Sequence, residues 1–121
     1  MKILDSNILI YSFSETYQFL RPLILEPNTF VSEITRLEVL GFHGLSKSEE
    51  VYFTEIFLEL RILEMDIPTI DEAIRLRRDH KMKLGDSIVA ATALVHGLEV
   101  YTRNTADFLK IPELKVINPV Y

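Results

Sequence analysis

The sequence contains no cysteine, and no apolar run in it approaches the ~20 residues that a membrane-spanning helix requires. The first absence excludes disulfides and thiolate chemistry, which fits a reducing compartment. The amino terminus also lacks the basic, apolar and small-residue segments of a secretion signal, because Asp5 interrupts the only apolar stretch there. Together these absences predict a soluble protein of the cytoplasm.

Positive charge is also scarce. The chain has 13 lysines and arginines against 18 aspartates and glutamates, which gives a net charge of −5. A general nucleic-acid-binding protein usually carries a basic surface, so this balance argues against one. It does not exclude an enzyme that acts on nucleic acid, because metal ions in an acidic site can cancel the local charge.

The residues that are present are sufficient for one folded core. A length of 121 residues suggests a single domain over residues 1–121, and 48% of them are apolar. Short apolar runs predict five strands. The first ends at Leu4, and the others cover residues 30–31, 62–65, 99–102 and 115–117. Between them, the sequence predicts helices over residues 8–13, 14–25, 33–42, 46–61, 70–80 and 88–96, with a turn at residues 66–69. This alternation predicts an α/β fold with a central parallel sheet and helices on both of its faces.

Several helix ends have clear local signals. Ser46 and Glu49 match a capping box, in which each side chain binds the backbone of the other. Ser32 predicts the start of another helix, and Gly97 predicts the end of the helix that runs to His96. The segment 103–108 fits either a loop or a single helical turn.

Four acids are placed so that they could converge. Asp5 and Asp107 follow predicted strands, and the carboxyl ends of parallel strands share one edge of the sheet, where ligands bind in open α/β folds. Asp86 opens a helix, and Glu38 lies two turns into another. Because helices in such folds run opposite to the strands, their amino ends reach the same edge.

Carboxylate oxygens suit Mg²⁺ or Mn²⁺, and no cysteine or paired histidine competes for softer metals. One or two such ions could activate a water and stabilise the leaving oxygen of a phosphodiester. Taken singly, each acid is more often a helix cap or a surface charge, and Asp86 alone could equally be only an N-cap.

Four segments resemble, in order, the motifs of PIN-domain nucleases, and the ending resembles that of the family's VapC-type toxins. The segments are Leu4–Asn7, Leu37–Val39, Gly85–Ala93 and Thr102–Phe108, and the ending is Ile111–Pro119. The resemblance implies a three-layer α/β/α sandwich with strand order 3-2-1-4-5. It also implies RNA cleavage that depends on Mg²⁺ or Mn²⁺, homodimers, and a partner antitoxin that wraps the toxin and reaches into the acidic site.

Carried over by motif, the resemblance implies the roles of individual residues. The metal ligands, direct or through water, would be Asp5, Glu38, Asp86 and Asp107. Residues Ser6 and Asn7 would orient Asp5 or a bound water, and Thr102 and Asn104 would support the site. The implied chemistry is attack of an activated water on a phosphodiester without a covalent intermediate.

Two features differ from the family's commonest pattern. Many relatives have a proline near the third acid, whereas this chain has Lys83-Leu84-Gly85, a change that bears on how the helix begins. The chain also has few residues between Phe13 and Glu33. The early helices often frame the substrate groove, so this difference leaves substrate specificity open.

Two further features allow more than one interpretation. A basic cluster could bind RNA phosphates, or it could be a solvated helix end that favours cations; its members are Arg75, Arg77, Arg78, Lys81 and Lys83. An aromatic and apolar stripe at helical spacing predicts core, although it could also line a groove for a second subunit or an antitoxin. The stripe consists of Tyr52, Phe53, Ile56 and Phe57.

Three other functions compete with the nuclease. A signalling receiver domain needs a second acid beside Asp5 and a lysine after the fifth strand, where Asn118-Pro119 stands. A haloacid-dehalogenase-type phosphatase needs an acid two residues after Asp5, where the chain has Asn7. A PIN-fold binding module with little nuclease activity would keep the same four acids, so the sequence leaves that alternative open.

Overall fold

Five short strands form one parallel sheet in the computed structural model, which describes residues 1–120. The strands are β1 (Lys2–Leu4), β2 (Thr29–Ser32), β3 (Arg61–Leu63), β4 (Glu99–Tyr101) and β5 (Val116–Ile117). Their spatial order is β3-β2-β1-β4-β5, and every neighbouring pair is parallel. This is the order that the resemblance to PIN-domain nucleases implied, so the predicted α/β fold is confirmed.

Helices connect the strands and cover both faces of the sheet. They are α1 (Ser6–Ser12), α2 (Leu20–Ile24), α3 (Glu33–Leu40), α4 (Lys47–Glu59), α5 (Ile67–Asp79), α6 (Leu84–His96) and α7 (Thr105–Phe108), and a 3₁₀ turn spans Glu15–Tyr17. Of the helices in residues 1–120, none combines the length and the hydrophobicity that crossing a membrane would require.

The sheet separates two apolar cores because successive strand residues point to opposite faces. In β1, Ile3 packs with the buried side chains of α5 and α6, while its neighbour Leu4 packs with those of α1, α3 and α4. The stripe on α4 belongs to the second core, since Phe53, Ile56 and Phe57 are buried there. The prediction that the stripe is core is therefore confirmed for these three residues, whereas Tyr52 is only partly buried against the same core.

Two prolines account for the largest differences from the predicted elements. The predicted helix over residues 14–25 is broken into the 3₁₀ turn and α2, because Pro22 has no N–H to continue a helix from the preceding turn. The predicted turn at residues 66–69 is instead the start of α5. There Asp66 caps the helix by accepting a hydrogen bond from the amide of Thr69 at 3.0 Å, and Pro68 occupies the first turn, where its missing N–H is tolerated.

The other predicted ends lie within a few residues of those observed. Ser46 and Glu49 form the predicted capping box, and Gly97 ends α6 with φ of 66°, in the left-handed region that favours glycine. Leu37, in the second of the four motif segments, is 64% exposed, because α3 buries Thr35 and Val39 instead.

The carboxyl ends of the central strands are aligned by hydrogen bonds just beyond the sheet. The amide of Asp5 donates to the carbonyl of Tyr101 at 2.9 Å, and the amide of Thr102 donates to the carbonyl of Ile117 at 3.0 Å. The residues that follow β1 and β4 are therefore held side by side at one edge.

Candidate functional site

Asp5 is the most deeply buried acid at the carboxyl edge of the sheet, with 4% of its surface exposed. It serves as the N-cap of α1, and its Oδ1 accepts a hydrogen bond from the amide of Ser6 at 2.9 Å. Its Oδ2 accepts hydrogen bonds from the hydroxyl of Thr102 at 2.9 Å and from Nδ2 of Asn7 at 3.3 Å. Burial raises the pKa of Asp5 above its usual value, and the bonds from Thr102 and Ser6 oppose that rise.

Asp86 has an oxygen with no partner. It lies in the first turn of α6, not at the N-cap, which is Lys83, so the reading of Asp86 as only a cap is wrong. Its Oδ2 is buried and forms no hydrogen bond among residues 1–120. Burial, together with the charges of Asp5, Asp107 and Glu38, raises the pKa of Asp86 to about 6. A carboxylate left unpaired in this way is costly, so the arrangement favours a cation or a proton at this oxygen.

Glu38 reaches the same place from α3. Although the residue is exposed as a whole, its carboxylate extends over the start of α6. A Cβ placed on Gly85 would lie 2.8 Å from Oε2 of Glu38, so only glycine leaves room for the carboxylate there. Partial burial and the charge of Asp5 raise the pKa of Glu38.

Asp107 differs from the other three acids because it already has a cation. Nζ of Lys110 donates hydrogen bonds to Oδ1 of Asp107 at 3.2 Å and to the carbonyl of Lys81 at 2.9 Å. Nδ2 of Asn104 donates to Oδ2 of Asp107 at 3.3 Å. The hydrogen bond from Lys110 is the main cause that lowers the pKa of Asp107 below its usual value.

The four polar residues predicted to support the site all lie beside the acids. Asn7 bridges Asp5 and Thr102, since its Nδ2 also lies 3.3 Å from the Thr102 hydroxyl. The side chain of Asn104 contacts Asp107, and its backbone amide donates to the Thr102 hydroxyl at 3.0 Å. Ser6 contacts Asp5 through its backbone amide, not through its hydroxyl.

The structure divides the predicted basic cluster. Lys83 lies close enough to the acids for its charge to matter to two of them. It opposes the rise in the pKa of Asp86 and contributes to the lowering of the pKa of Asp107. Arg75 is instead paired on its own helix with Glu72 and, at 3.6 Å, with Asp79. The remaining members, Arg77, Arg78 and Lys81, are exposed at the carboxyl end of α5 and just after it.

The donor set is compatible with a hard divalent cation. Every acid offers carboxylate oxygens, which Mg²⁺ and Mn²⁺ prefer, and Asp86 offers a buried oxygen without a partner. Within residues 1–120, no three carboxylate or imidazole groups are already gathered as a closed set of metal ligands. A small ion that keeps several of its waters fits such an open arrangement, because it needs only one or two direct carboxylate ligands.

Three residues beside the acids were missed from the sequence. Lys110 holds Asp107, and Arg103 lies over the ring of Tyr11 with 4.8 Å between its Cζ and the ring centroid. Arg103 could have been identified from its position between Thr102 and Asn104, inside the fourth motif segment. Nothing in the sequence links Tyr11 to that motif, because 92 positions separate it from Arg103.

The comparisons with known proteins agree on one family. The PIN domain model matches residues 2–114. A chain of a toxin–antitoxin complex from Klebsiella pneumoniae is 34% identical, with a TM-score of 0.82, and the match covers 99% of this chain and 98% of that chain. A chain of FitAcB from Neisseria gonorrhoeae is 28% identical, with a TM-score of 0.78 and 98% of each chain covered.

A more distant match agrees in fold. A chain of VapBC2 from Rickettsia felis, solved bound to a DNA fragment from its promoter, is 22% identical with a TM-score of 0.78 and 97% of each chain covered. No curated protein sequence matches the chain significantly.

Proposed function

The chain belongs to the PIN domain family, and from that premise we propose that it is a metal-dependent endoribonuclease that hydrolyses phosphodiester bonds of RNA. We further propose that it is the toxin of a toxin–antitoxin pair, because the Klebsiella pneumoniae chain that it resembles at 34% identity, over nearly the whole length of both, was solved in a toxin–antitoxin complex. Residues 1–121 would then be a single PIN domain.

The observation that carries this proposal is the unpartnered oxygen of Asp86 among other acids. Its Oδ2 is buried without a hydrogen bond, and burial, followed by the charges of three further carboxylates, raises its pKa. Like charges held together destabilise the fold unless a cation joins them. A purely structural role would favour hydrogen bonds or salt bridges for all four acids, as Asp107 has.

Asp86, Asp5 and Glu38 would hold a Mg²⁺ or Mn²⁺ ion, directly or through water, and Asp107 would do so after exchanging its contact with Lys110. When bound, such an ion supplies Lewis acidity, which lowers the pKa of water and stabilises negative charge on a phosphate. Lys83 would offset the charge of an RNA phosphate beside the acids. Arg77, Arg78 and Lys81 would bind further phosphates of the same RNA.

The chain's own residues prepare this chemistry. Thr102 and Asn7 fix the orientation of the Asp5 carboxylate, so that its ordering does not have to occur during the reaction. The two serines near the acids offer no nucleophile. The hydroxyl of Ser87 is buried and donates to the carbonyl of Leu84 at 2.6 Å, and within residues 1–120 no hydrogen bond joins the Ser6 hydroxyl to a histidine. Hydrolysis would therefore proceed by direct attack of water.

Cleavage of a mixed RNA pool tests the activity. The purified protein, free of any co-purifying partner, is incubated with Mg²⁺, Mn²⁺ or EDTA beside the variants Asp5→Asn and Asp86→Asn. We expect discrete cuts that require metal and disappear in both variants. The matched control is Asp71→Asn, which removes one exposed acid from the first half of α5 and should leave the cuts unchanged.

Two other results would contradict the proposal. Folded protein that cuts nothing with either metal would favour the alternative of a binding module that keeps the PIN fold. Cuts that survive both substitutions would not depend on Asp5 or Asp86 and would contradict the role proposed for these acids. For either result, circular dichroism of each variant checks that the protein is folded.

The partner and the setting follow from the same proposal. We expect a homodimer in the cytoplasm and a cognate antitoxin that covers the acid site. Light scattering would show a dimer as twice the 14.0 kDa of one chain. Induced expression in a bacterial host should arrest growth with the wild type and not with Asp86→Asn, and growth arrest by both proteins would contradict a toxin that acts through cleavage.

A further inference from the structure

A row of one arginine and two tyrosines lies beside the acids. The guanidinium of Arg103 lies over the ring of Tyr11 and donates a hydrogen bond to its hydroxyl. The ring of Tyr11 meets that of Tyr17 edge to face, with the centroids 4.9 Å apart and the planes at 65°.

Backbone and side-chain contacts tie this row to the acid site. The amide of Arg103 donates to Oδ1 of Asn7 at 3.2 Å, and Nδ2 of the same Asn7 donates to Oδ2 of Asp5 at 3.3 Å. Arg103 also directly follows Thr102, whose hydroxyl bonds Asp5. The row therefore begins one residue away from the most buried acid of the site.

The positive charge of the row is not neutralised. Arg103 is exposed, and it forms no ion pair with an acid anywhere in residues 1–120, whereas Arg75 and Lys110 are both paired. Its anchor is a phenol, which holds the guanidinium in place without cancelling its charge. Tyr11 and Tyr17 are only partly buried: both pack against the core beside α1, and the ring of Tyr17 also meets that of Phe19, with the centroids 6.2 Å apart.

We propose that Arg103, Tyr11 and Tyr17 form a binding subsite for one unpaired nucleotide next to the phosphodiester that is cleaved. The guanidinium binds the phosphate of that nucleotide, and the base stacks on the accessible part of the half-buried Tyr17 ring. This inference rests on the proposed nuclease function and narrows its substrate. The RNA must be single-stranded at the cut, because a base inside a duplex has no free face to stack.

The choice of RNA over a protein segment rests on the pairing of an unneutralised cation with aromatic rings. A phosphate is bound by the cation and a nucleobase stacks on a ring, and the cation is tied to the acid site through Asn7, which bonds Asp5. A protein segment could also cover the rings, but it would not depend on the bases of an oligonucleotide.

Binding of two labelled oligonucleotides tests the subsite. The probes are a short fluorescent oligoadenylate and an abasic strand of the same length, which carries the phosphates without the bases. Affinities are measured by fluorescence anisotropy with full-length Asp86→Asn as the background, so that cleavage does not destroy the probe. The added variants are Tyr17→Leu, Tyr17→Phe and Arg103→Ala.

We expect Tyr17→Leu to weaken oligoadenylate binding about tenfold, because one stacked base is lost, and to leave abasic binding unchanged. Tyr17→Phe keeps the ring and should bind as the background does. Arg103→Ala should weaken both probes and reduce the slope of log K against log salt by about 0.7, the value for one phosphate contact on a single strand.

Arg61→Ala is the matched control. Its guanidinium also lies over a ring, 5.9 Å from the centroid of Phe30, but at the start of β3 and therefore at the opposite edge of the sheet. Removing that charge should leave the affinity for both probes unchanged. If Arg103→Ala behaves like Arg61→Ala, or if Tyr17→Leu affects both probes equally or neither, the subsite is disproved.

Cleavage by the wild type separates this inference from the proposed function. Base-dependent binding that is lost in Tyr17→Leu, from a wild type that cuts no RNA, would support the subsite and contradict the nuclease. Metal-dependent cleavage with unchanged affinity in Tyr17→Leu and Arg103→Ala would support the nuclease and contradict the subsite.

Discussion

The hydroxyl of Thr102 donates a hydrogen bond of 2.9 Å to Oδ2 of Asp5, across 97 positions of sequence. It joins the residue that follows β4 to the acid that follows β1. The bond is buried, and it opposes the rise in the Asp5 pKa that burial causes.

Replacing Thr102 with valine removes this bond while keeping the shape of the side chain. We expect Thr102→Val to lower the free energy of unfolding by about 1 kcal/mol, since Asp5 keeps its bonds from Asn7 and Ser6. Cleavage should fall as well, because the carboxylate is less firmly oriented. Urea unfolding and initial rates measure the two effects. Thr92→Val is the control, because the buried Thr92 hydroxyl bonds only a helix carbonyl, that of Ile88. Equal losses of cleavage rate in the two variants would contradict an effect of Thr102 through Asp5.

The Asp86 carboxyl makes the stability of the metal-free protein depend on pH. Folding raises its pKa from 3.8 to about 6, so the folded protein binds this proton more tightly than the unfolded chain. The penalty for ionising Asp86 is therefore absent below about pH 4, grows as the pH rises towards 6, and is complete above that. Asp86→Asn removes it. The variant should be more stable than the wild type at pH 8 by about 1 kcal/mol, after allowance for screening of a half-exposed group.

Denaturant unfolding in EDTA at pH 4 and pH 8 measures this difference. The two proteins should have similar stability at the lower pH and diverge at the higher one. A variant that is less stable than the wild type at pH 8 would show that the ionised Asp86 stabilises the fold by itself, contrary to the unpartnered oxygen in the structure.

Divalent metal should stabilise the wild type in a pH-dependent way. Mn²⁺ at about 100 times its dissociation constant should add about 2.7 kcal/mol to the free energy of unfolding. Because a metal ligand must be deprotonated, the affinity should fall about tenfold for each pH unit below about 6, the pKa of Asp86. Thermal melts with and without Mn²⁺ at pH 5 and pH 7.5 test this. Asp71→Asn should keep the effect and Asp86→Asn should lose it; an equal shift at both pH values would exclude Asp86 as a ligand.

Gly85 should set the position of the Glu38 carboxylate. In Gly85→Ala the added methyl group would lie 2.8 Å from Oε2 of Glu38, so the carboxylate must move. The carboxylate ends a flexible side chain, so the protein should still fold, while Mn²⁺ affinity falls several-fold. A double-mutant cycle with Glu38→Ala supplies the control: once Glu38 is truncated, Gly85→Ala should have no further effect on affinity. An undiminished effect there would mean that Gly85 acts through the helix and not through Glu38.

Lys110 should compete with a metal ion for Asp107. Lys110→Gln removes the cation that holds Oδ1 of Asp107 at 3.2 Å. The metal-free protein should become slightly less stable, because four acids then repel one another with less compensation, while its affinity for Mn²⁺ should rise. Titration calorimetry measures the affinity, and Lys47→Gln, which breaks an exposed pair with Glu50, is the control. A weaker affinity in Lys110→Gln would show that Lys110 supports metal binding.

The sequence by itself determined the features that depend on neighbouring residues. The capping box of Ser46 and Glu49, the glycine that ends α6 and the cap bond from the Ser6 amide to Asp5 each involve residues a few positions apart, so the residue types predict them. Alternating strands and helices likewise predicted the α/β fold, because hydrophobic periodicity reports which face of each element is buried. The strand order came from the resemblance to a family, since pairing between distant strands leaves no local signal.

Only the tertiary structure decided how the acids differ from one another. Asp86 and Asp107 are the same residue type, each in the first turn of a helix, yet one pKa is raised by burial and the other is lowered by Lys110. The contacts of Asp5 with Thr102 and of Arg103 with Tyr11 likewise join residues more than ninety positions apart. The physical reason is that desolvation and Coulomb interactions depend on distance in space, and folding alone sets which distant side chains become neighbours.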